Sequence, residues 1–197
     1  MSYNELHDVL AILALVALVG AVLMVAARLI PSVASVRFLD IVHRVQLPLA
    51  ALVATTATLG SLYFSEYGAH WTPCRFCWFQ RIFMYSSAVV LLVAAIRRDR
   101  SVKWFAGPLA ALGLLTSLWH NLLERGVMEE SSVCSLTVPC AIPWKVSFGQ
   151  FNDDGRAGGF PSVTLAVMAF AGFAAILALL FTPESLEDDL DGEPAEG

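Results

Sequence analysis

Four cysteines in two close pairs, Cys74/Cys77 and Cys134/Cys140, are the residues of this 197-residue chain best suited to covalent chemistry. The first pair lies in Trp71-Thr72-Pro73-Cys74-Arg75-Phe76-Cys77-Trp78-Phe79-Gln80-Arg81. Pro73 suits the first position of a helix, where the missing N–H costs nothing. Cys74 and Cys77 then share one face of the opening turns and can close a small disulfide. The partial positive charge of a helix N-terminus favours a thiolate over a thiol, and the thiolate is the nucleophile. Arg75 and Arg81 act in the same direction. Arg81, four residues past Cys77, lies on the same face about 6 Å further along the axis. It reads either as a cation stabilising a thiolate or an electron-rich ring oxygen, or as an interfacial arginine reaching to lipid headgroups. A zinc site could draw on all four cysteines, but the spacing of the second pair is not a usual knuckle. Covalent haem is dropped, because Trp78 stands where a histidine is needed. A purely structural disulfide closes so short a loop that its entropic stabilisation is small.

The second pair encloses Ser135-Leu136-Thr137-Val138-Pro139. An exposed pair in a mobile loop is open to attack by a protein partner; the plainer reading is a stapled loop. Ile142, Trp144, Val146 and Phe148 alternate with Lys145 and Ser147, as in a segment resting on a membrane surface or a short strand. Asn152-Asp153-Asp154-Gly155 lacks the later glutamate of a calcium loop and reads as a turn. His120, one turn before Glu124, is expected at about the depth of Cys77 and Arg81, either as an interfacial histidine or as a group that bonds a cofactor carbonyl or passes a proton. Trp71, Trp78, Trp119 and Trp144 crowd the same level, as an aromatic belt or as a flat-ring pocket. His7, His43 and His70 have no partner legible in sequence.

The elements that must position these groups are membrane helices. The chain is 57% hydrophobic and 15% charged, with a mean hydropathy of +0.68; soluble domains run nearer 45–50% and about 25%. This counts against a soluble enzyme and a disordered chain, and no basic stripe suggests nucleic acid. Uncharged stretches run over 9–27, 45–65, 82–96, 104–123 and 157–183. Four reach the ~18 residues of a spanning helix, and the third does so when extended back to Cys77. Five transmembrane helices are expected, at about 8–29, 45–65, 77–96, 104–123 and 161–182, forming an all-α helical bundle. The first lacks the positive start of a signal peptide and reads as an uncleaved anchor. Arginines at 28, 37 and 44 and the basic run 97–103 place those connections in the cytoplasm. Both cysteine pairs and the N-terminus then face outside, where disulfides persist. Seven carboxylates in 184–197 carry the net charge of −5 and leave the remainder at +2. That tail reads as cytoplasmic and disordered.

Pro73-Cys74-Arg75-Phe76-Cys77-Trp78-Phe79-Gln80-Arg81, followed by His120-Asn121-Leu122-Leu123-Glu124, the pair Cys134 and Cys140, Trp144, Gly159 and Pro161, resembles the DsbB/BdbC membrane disulfide oxidoreductases, and more closely their BdbC branch. The resemblance covers about 42–182. It divides the chain into an extra transmembrane helix with its connection (1–40), a four-helix oxidoreductase core (41–182) and the acidic tail (183–197). It implies a multi-pass cell-membrane enzyme whose catalytic residues are Cys74, Cys77, Cys134 and Cys140, with no metal. An extracytoplasmic thioredoxin-like thiol oxidase of the DsbA/BdbD kind would attack Cys134. Cys140 would pass the electrons to the Cys74–Cys77 disulfide, and Cys77 would leave as a thiolate facing a bound quinone, menaquinone or ubiquinone. Arg81, with His120, would contribute to that cofactor site. Two other readings stay open: an enzyme like vitamin-K-epoxide reductase, in which the loop pair precedes the membrane pair, and a non-catalytic membrane protein with structural disulfides or a metal site.

Overall fold

The computed structural model describes residues 2–30, 32–68, 70–129, 134 and 138–183. The acidic tail and Ser135 to Thr137 lie outside these described residues. Five α-helices are present among them: α1 (Tyr3–Leu29), α2 (Val33–Leu62), α3 (Arg75–Arg97), α4 (Lys103–Glu124) and α5 (Leu165–Leu180). A π-helical turn, Tyr63–Tyr67, continues α2, and a 3₁₀ turn, Arg100–Val102, leads into α4. The only described strands, β1 (Gln150–Phe151) and β2 (Ala157–Gly158), pair antiparallel. Their connection turns at Asn152, whose carbonyl accepts the Gly155 N–H at 2.8 Å.

Among the described residues, four segments are long and apolar enough to cross a membrane, those containing α1 to α4. The fifth helix is apolar but only 16 residues long, about 24 Å at 1.5 Å per residue. Expected to begin at 161, it begins at Leu165, because Thr164 is its N-cap and accepts the Val167 N–H. The residues before it are held as chain, with Val163 bridging Ser147. The second helix starts earlier than expected, at Val33, where the Ser32 side chain caps it. The arginine-bearing connection 28–44 is therefore largely helical. Ser2 and Glu5 form a capping box at the start of α1.

Small residues set the packing. Ala50, Ala54, Ala106 and Ala110 are fully buried, which lets helix backbones approach closely where lipid offers no hydrophobic drive for association. A Cβ on Gly113 of α4 would lie 2.3 Å from the ring of Phe173 on α5. Phe173 fills that gap and is itself fully buried. Large apolar side chains such as Val19, Val22, Leu112 and Leu115 point outward instead, as a lipid-facing surface requires. Both cysteine pairs gather at one end of the bundle, and the basic run 97–103 lies at the other.

Helix α1 is fastened at both ends. At the cysteine end, the Lys145 ammonium donates to the Asn4 carbonyl at 2.8 Å and pairs with Asp8 at 2.9 Å. The Ser147 hydroxyl donates to Asp8 at 2.5 Å, and His7 Nδ1 lies 2.7 Å from that same hydroxyl. At the basic end, Arg28 donates to the Ala178 carbonyl at 2.6 Å. His7, which had no partner in the sequence, is thus fully buried among Ser147, Phe64 and Trp71.

Candidate functional site

Cys74 is the N-cap of α3, and its sulfur accepts the Cys77 N–H. This bond takes one of the otherwise unpartnered donors of the first turn and fixes both sulfurs at the helix start. They lie 2.7 Å apart, both as free thiols. Cys134 and Cys140 are joined by a disulfide.

The two cysteines of α3 have different surroundings. Cys74 is buried and packs in one cluster with Leu123 and Cys140, with the half-buried Cys77 at its edge. The His120 ring lies beside it, with Nε2 3.7 Å from the Cys74 sulfur and 3.0 Å from the Cys140 carbonyl oxygen. Nδ1 of the same ring is 3.1 Å from the Gln80 amide nitrogen. With that amide donating to Nδ1, the neutral ring carries its proton on Nε2 and donates to the Cys140 carbonyl. Glu124 is 3.7 Å from Nε2 and accepts from the Thr164 hydroxyl at 2.5 Å. His120 and Glu124 are each 3% exposed, so this is a polar group closed off from lipid and water. Cys74, one residue ahead of the helix, has its thiol pKa lowered to about 5 by the hydrogen bond from Cys77, helped by His120 and opposed by burial.

Cys77 lines a cavity of about 550 Å³. Its walls are α1, α2, α3 and α5, and no residue of α4 contributes. Arg81 lines it too, donating from Nε to the Ser61 hydroxyl at 3.1 Å and from a terminal nitrogen to the Ser61 carbonyl at 3.2 Å. The Tyr85 hydroxyl also donates to the Ser61 hydroxyl. Arg81 therefore turns into the bundle toward α2, with its guanidinium carbon 5.3 Å from the Trp78 ring centroid. Above the cavity, Trp71 and Trp144 stack with planes 4° apart, and the Trp144 indole N–H donates to the Thr72 carbonyl.

These positions sort the sequence candidates. Cys74, Cys77, Cys140, Cys134, Arg81 and His120 all gather at one end of the bundle. His120 is not among the residues lining the cavity; it lies between the cysteine pairs. The expectation of an exposed loop pair is corrected at Cys140, which is 1% exposed, because the loop folds down onto the ends of α3 and α4. The four tryptophans divide: Trp71 and Trp144 border the cavity, while Trp78 and Trp119 do not; Trp78, Trp119 and Trp144 are each about half exposed, as in a belt. Sequence reasoning missed Ser61, Tyr85 and Thr164 as partners of the site. The signal available was weak, a polar residue within an apolar helix, which is expensive unless satisfied. For metal binding, Cys74, Cys77 and His120 place donor atoms within 4.8 Å of one another. Cys134 and Cys140, being disulfide-bonded, do not complete the four-thiolate set.

Residues 43–182 match the family described as disulfide bond formation protein DsbB. This chain belongs to the DsbB family. It is 45% identical over 141 residues to a probable disulfide formation protein of Deinococcus radiodurans, covering 70% of this chain and 88% of the relative. It is 36% identical over 132 residues to disulfide bond formation protein C of Bacillus subtilis, covering 66% and 84%. A probable disulfide formation protein C 2 of Bacillus anthracis is 30% identical over 143 residues, 73% of this chain and 93% of that one. No solved structure matches the chain. As a DsbB-family member it is a multi-pass membrane oxidoreductase of disulfide bond formation. The match begins within α2, so all of α1 lies before it.

Proposed function

We propose that the protein transfers electrons from a thioredoxin-like thiol oxidase, through Cys134/Cys140 and then Cys74/Cys77, to a membrane quinone. The supporting observation is that the cysteines of α3 connect two neighbourhoods: Cys74 packs with Cys140, and Cys77, at the edge of that same cluster, also lines the Arg81 cavity.

The exchanges balance as follows. A thiolate of the reduced partner attacks Cys134, forming a mixed disulfide and releasing Cys140 as a thiolate. Cys140 attacks Cys74 of the Cys74–Cys77 disulfide, and Cys77 leaves as a thiolate. The partner's second thiol resolves the mixed disulfide and leaves as an intramolecular disulfide. Cys134, released by that step, attacks Cys140, restoring the loop disulfide and releasing Cys74. The net result is an oxidised partner and a reduced Cys74/Cys77 pair holding two electrons. His120, bonded to the Cys140 backbone and close to the Cys74 sulfur, holds the proton that these thiolates gain and lose. Glu124 lies 3.7 Å from the same Nε2.

The cavity fits a quinone head: its lining is mostly apolar, two tryptophans border its mouth, and Arg81 has five N–H groups of which two bonds go to Ser61. A bound quinone supplies a two-electron, two-proton acceptor, and each ~30 mV of its potential drives the thiol exchanges by about 1.4 kcal/mol. Arg81 would hold the ring oxygen beside Cys77, and the apolar walls would exclude water. In the cell, both cysteine pairs would face the extracytoplasmic side.

The test is thiol-dependent quinone reduction by the purified protein, with capture of the oxidised partner by a Cys140→Ala variant, whose Cys134 thiolate attacks the partner's disulfide and displaces one partner thiolate. The expected results are turnover lost in Cys74→Ala and Cys77→Ala, and a partner disulfide accumulating on Cys134. Unchanged turnover in both α3 variants would overturn the reading.

A further inference from the structure

We propose that the crevice between α1 and α2 is a lateral portal. Through it a lipid-soluble acceptor enters from the membrane, and its hydrocarbon tail stays there while the head group sits beside Cys77. The proposal rests on the reading of the cavity as the acceptor site. It adds a role for α1, which lies outside the family match.

The geometry is specific to these helices. Leu10, Leu13, Ala14, Val16 and Ala17 of α1 line the same cavity as Cys77 and Arg81. Toward the cysteine end the crevice is shut. Gly60 of α2 is buried there, and a Cβ on it would lie 2.7 Å from Leu10 Cδ1. Further along the two helices the contact loosens. Leu13, Val16 and Leu52 line the cavity and are also 50%, 63% and 61% exposed, so one set of apolar side chains borders both the cavity and the lipid-facing surface. Helix α1 packs mainly along α5 and meets α2 over much less of its length, which leaves the α1–α2 seam as the opening. The fastening of α1 at Lys145, Asp8 and Ser147 and again at Arg28 holds that wall in place without closing the seam.

The occupant follows from continuity. An acceptor carrying a long hydrocarbon tail dissolves in the bilayer, and its tail must leave the cavity by an apolar route. At the cysteine end the stacked Trp71 and Trp144 border the cavity, and Lys145 and Ser147 fasten the loop beside them to α1. The exposed rim of Leu13, Val16 and Leu52 meets lipid directly.

The full-length protein in phosphatidylcholine vesicles, illuminated with a quinone bearing a diazirine on its isoprenoid tail, provides the test. The expected result is labelling within residues 10–17 and 52–60 that excess unlabelled quinone suppresses. Suppressible labelling confined to α3 or α4 would overturn the portal. Val16→Trp and Leu52→Trp narrow the rim. They are expected to raise the ratio of KM for a long-tailed quinone to KM for a tail-free benzoquinone by about tenfold, the loss that follows when roughly two methylenes leave an apolar slot. An unchanged ratio overturns the portal. The labelling uses the unaltered chain, so a variant that fails to fold does not remove the test. Wild-type protein that reduces neither quinone defeats the proposed function itself; reduction of both with labelling elsewhere defeats only the portal.

Discussion

The first turn of α3 faces two different environments. On the Cys77 side there is a mostly apolar cavity with one cation, Arg81, tied to Ser61. On the Cys74 side there is a buried polar group in which His120, Gln80, Glu124 and Thr164 satisfy one another against the Cys140 backbone, with Gln80 also reaching the cavity wall. The first suits binding of a flat, lipid-soluble molecule, and the second suits thiolates and protons. Under the proposed function, two cysteines three residues apart serve consecutive steps of one transfer: their disulfide is reduced from the Cys140 side, and the dithiol is reoxidised from the cavity side.

The largest effect should come from breaking that bridge. Cys77→Ser is expected to stop turnover yet yield a Cys74–Cys140 disulfide, formed when the Cys74 thiolate attacks Cys140 of the loop disulfide and releases Cys134, found by peptide mapping without reductant. Cys74→Ser is expected to stop turnover without a matching Cys77–Cys140 species; equal yields of both would erase the distinction between the two sides. Next comes a reciprocal pair. His120→Ala is expected to slow the thiol exchanges by about a hundredfold, the lower end of general acid–base contributions, with little change in KM for the acceptor. Arg81→Ala is expected to raise KM for the acceptor by about tenfold or more, as loss of a charged hydrogen bond does, while pre-steady-state exchange with the partner stays fast. If both variants moved the same parameter, the two sides would be a single site.

A pH series sharpens the Cys74 side. With its pKa lowered to about 5, Cys74 of the reduced protein remains a thiolate above that value and is protonated only as pH falls through it. Alkylation by iodoacetamide should therefore persist at pH 6 to 7, where an ordinary thiol with a pKa near ~8.5 is nearly inert. A rate that vanished below pH 8 would contradict this. The smallest expected effect is Tyr85→Phe, which removes one neutral hydrogen bond to Ser61, worth about 0.5–1.5 kcal/mol. A several-fold rise in acceptor KM with unaltered partner exchange would tie Ser61 to the cavity side.

The membrane bundle was legible because charges are scarce and punctuate the chain, so the uncharged gaps mark the helices almost directly. Their ends were less legible. The start of α2 at Val33 depends on the Ser32 cap rather than hydropathy, and α5 is shorter than its uncharged stretch because Val163 pairs with Ser147 before the helix begins. The cysteine motif was legible because local spacing and helix polarity decide its geometry. The placing of Cys140 was not, since a loop that folds onto distant helix ends has the same local pattern as one that extends into solvent.

By itself, then, the sequence determined the membrane class, the positions of most spanning segments and the place of the Cys74/Cys77 pair at the start of a helix. These follow from composition, charge spacing and the first turn of one helix, all of which act over a few residues. Only the tertiary structure decided that His120 faces Cys74 and Cys140, that Arg81 turns inward to Ser61, and that α1 forms a wall of the cavity. Each depends on which faces of helices far apart in the chain come together, and that is set by small residues such as Gly60 and Gly113 admitting a neighbour's side chain, a close fit that neither hydropathy nor spacing records.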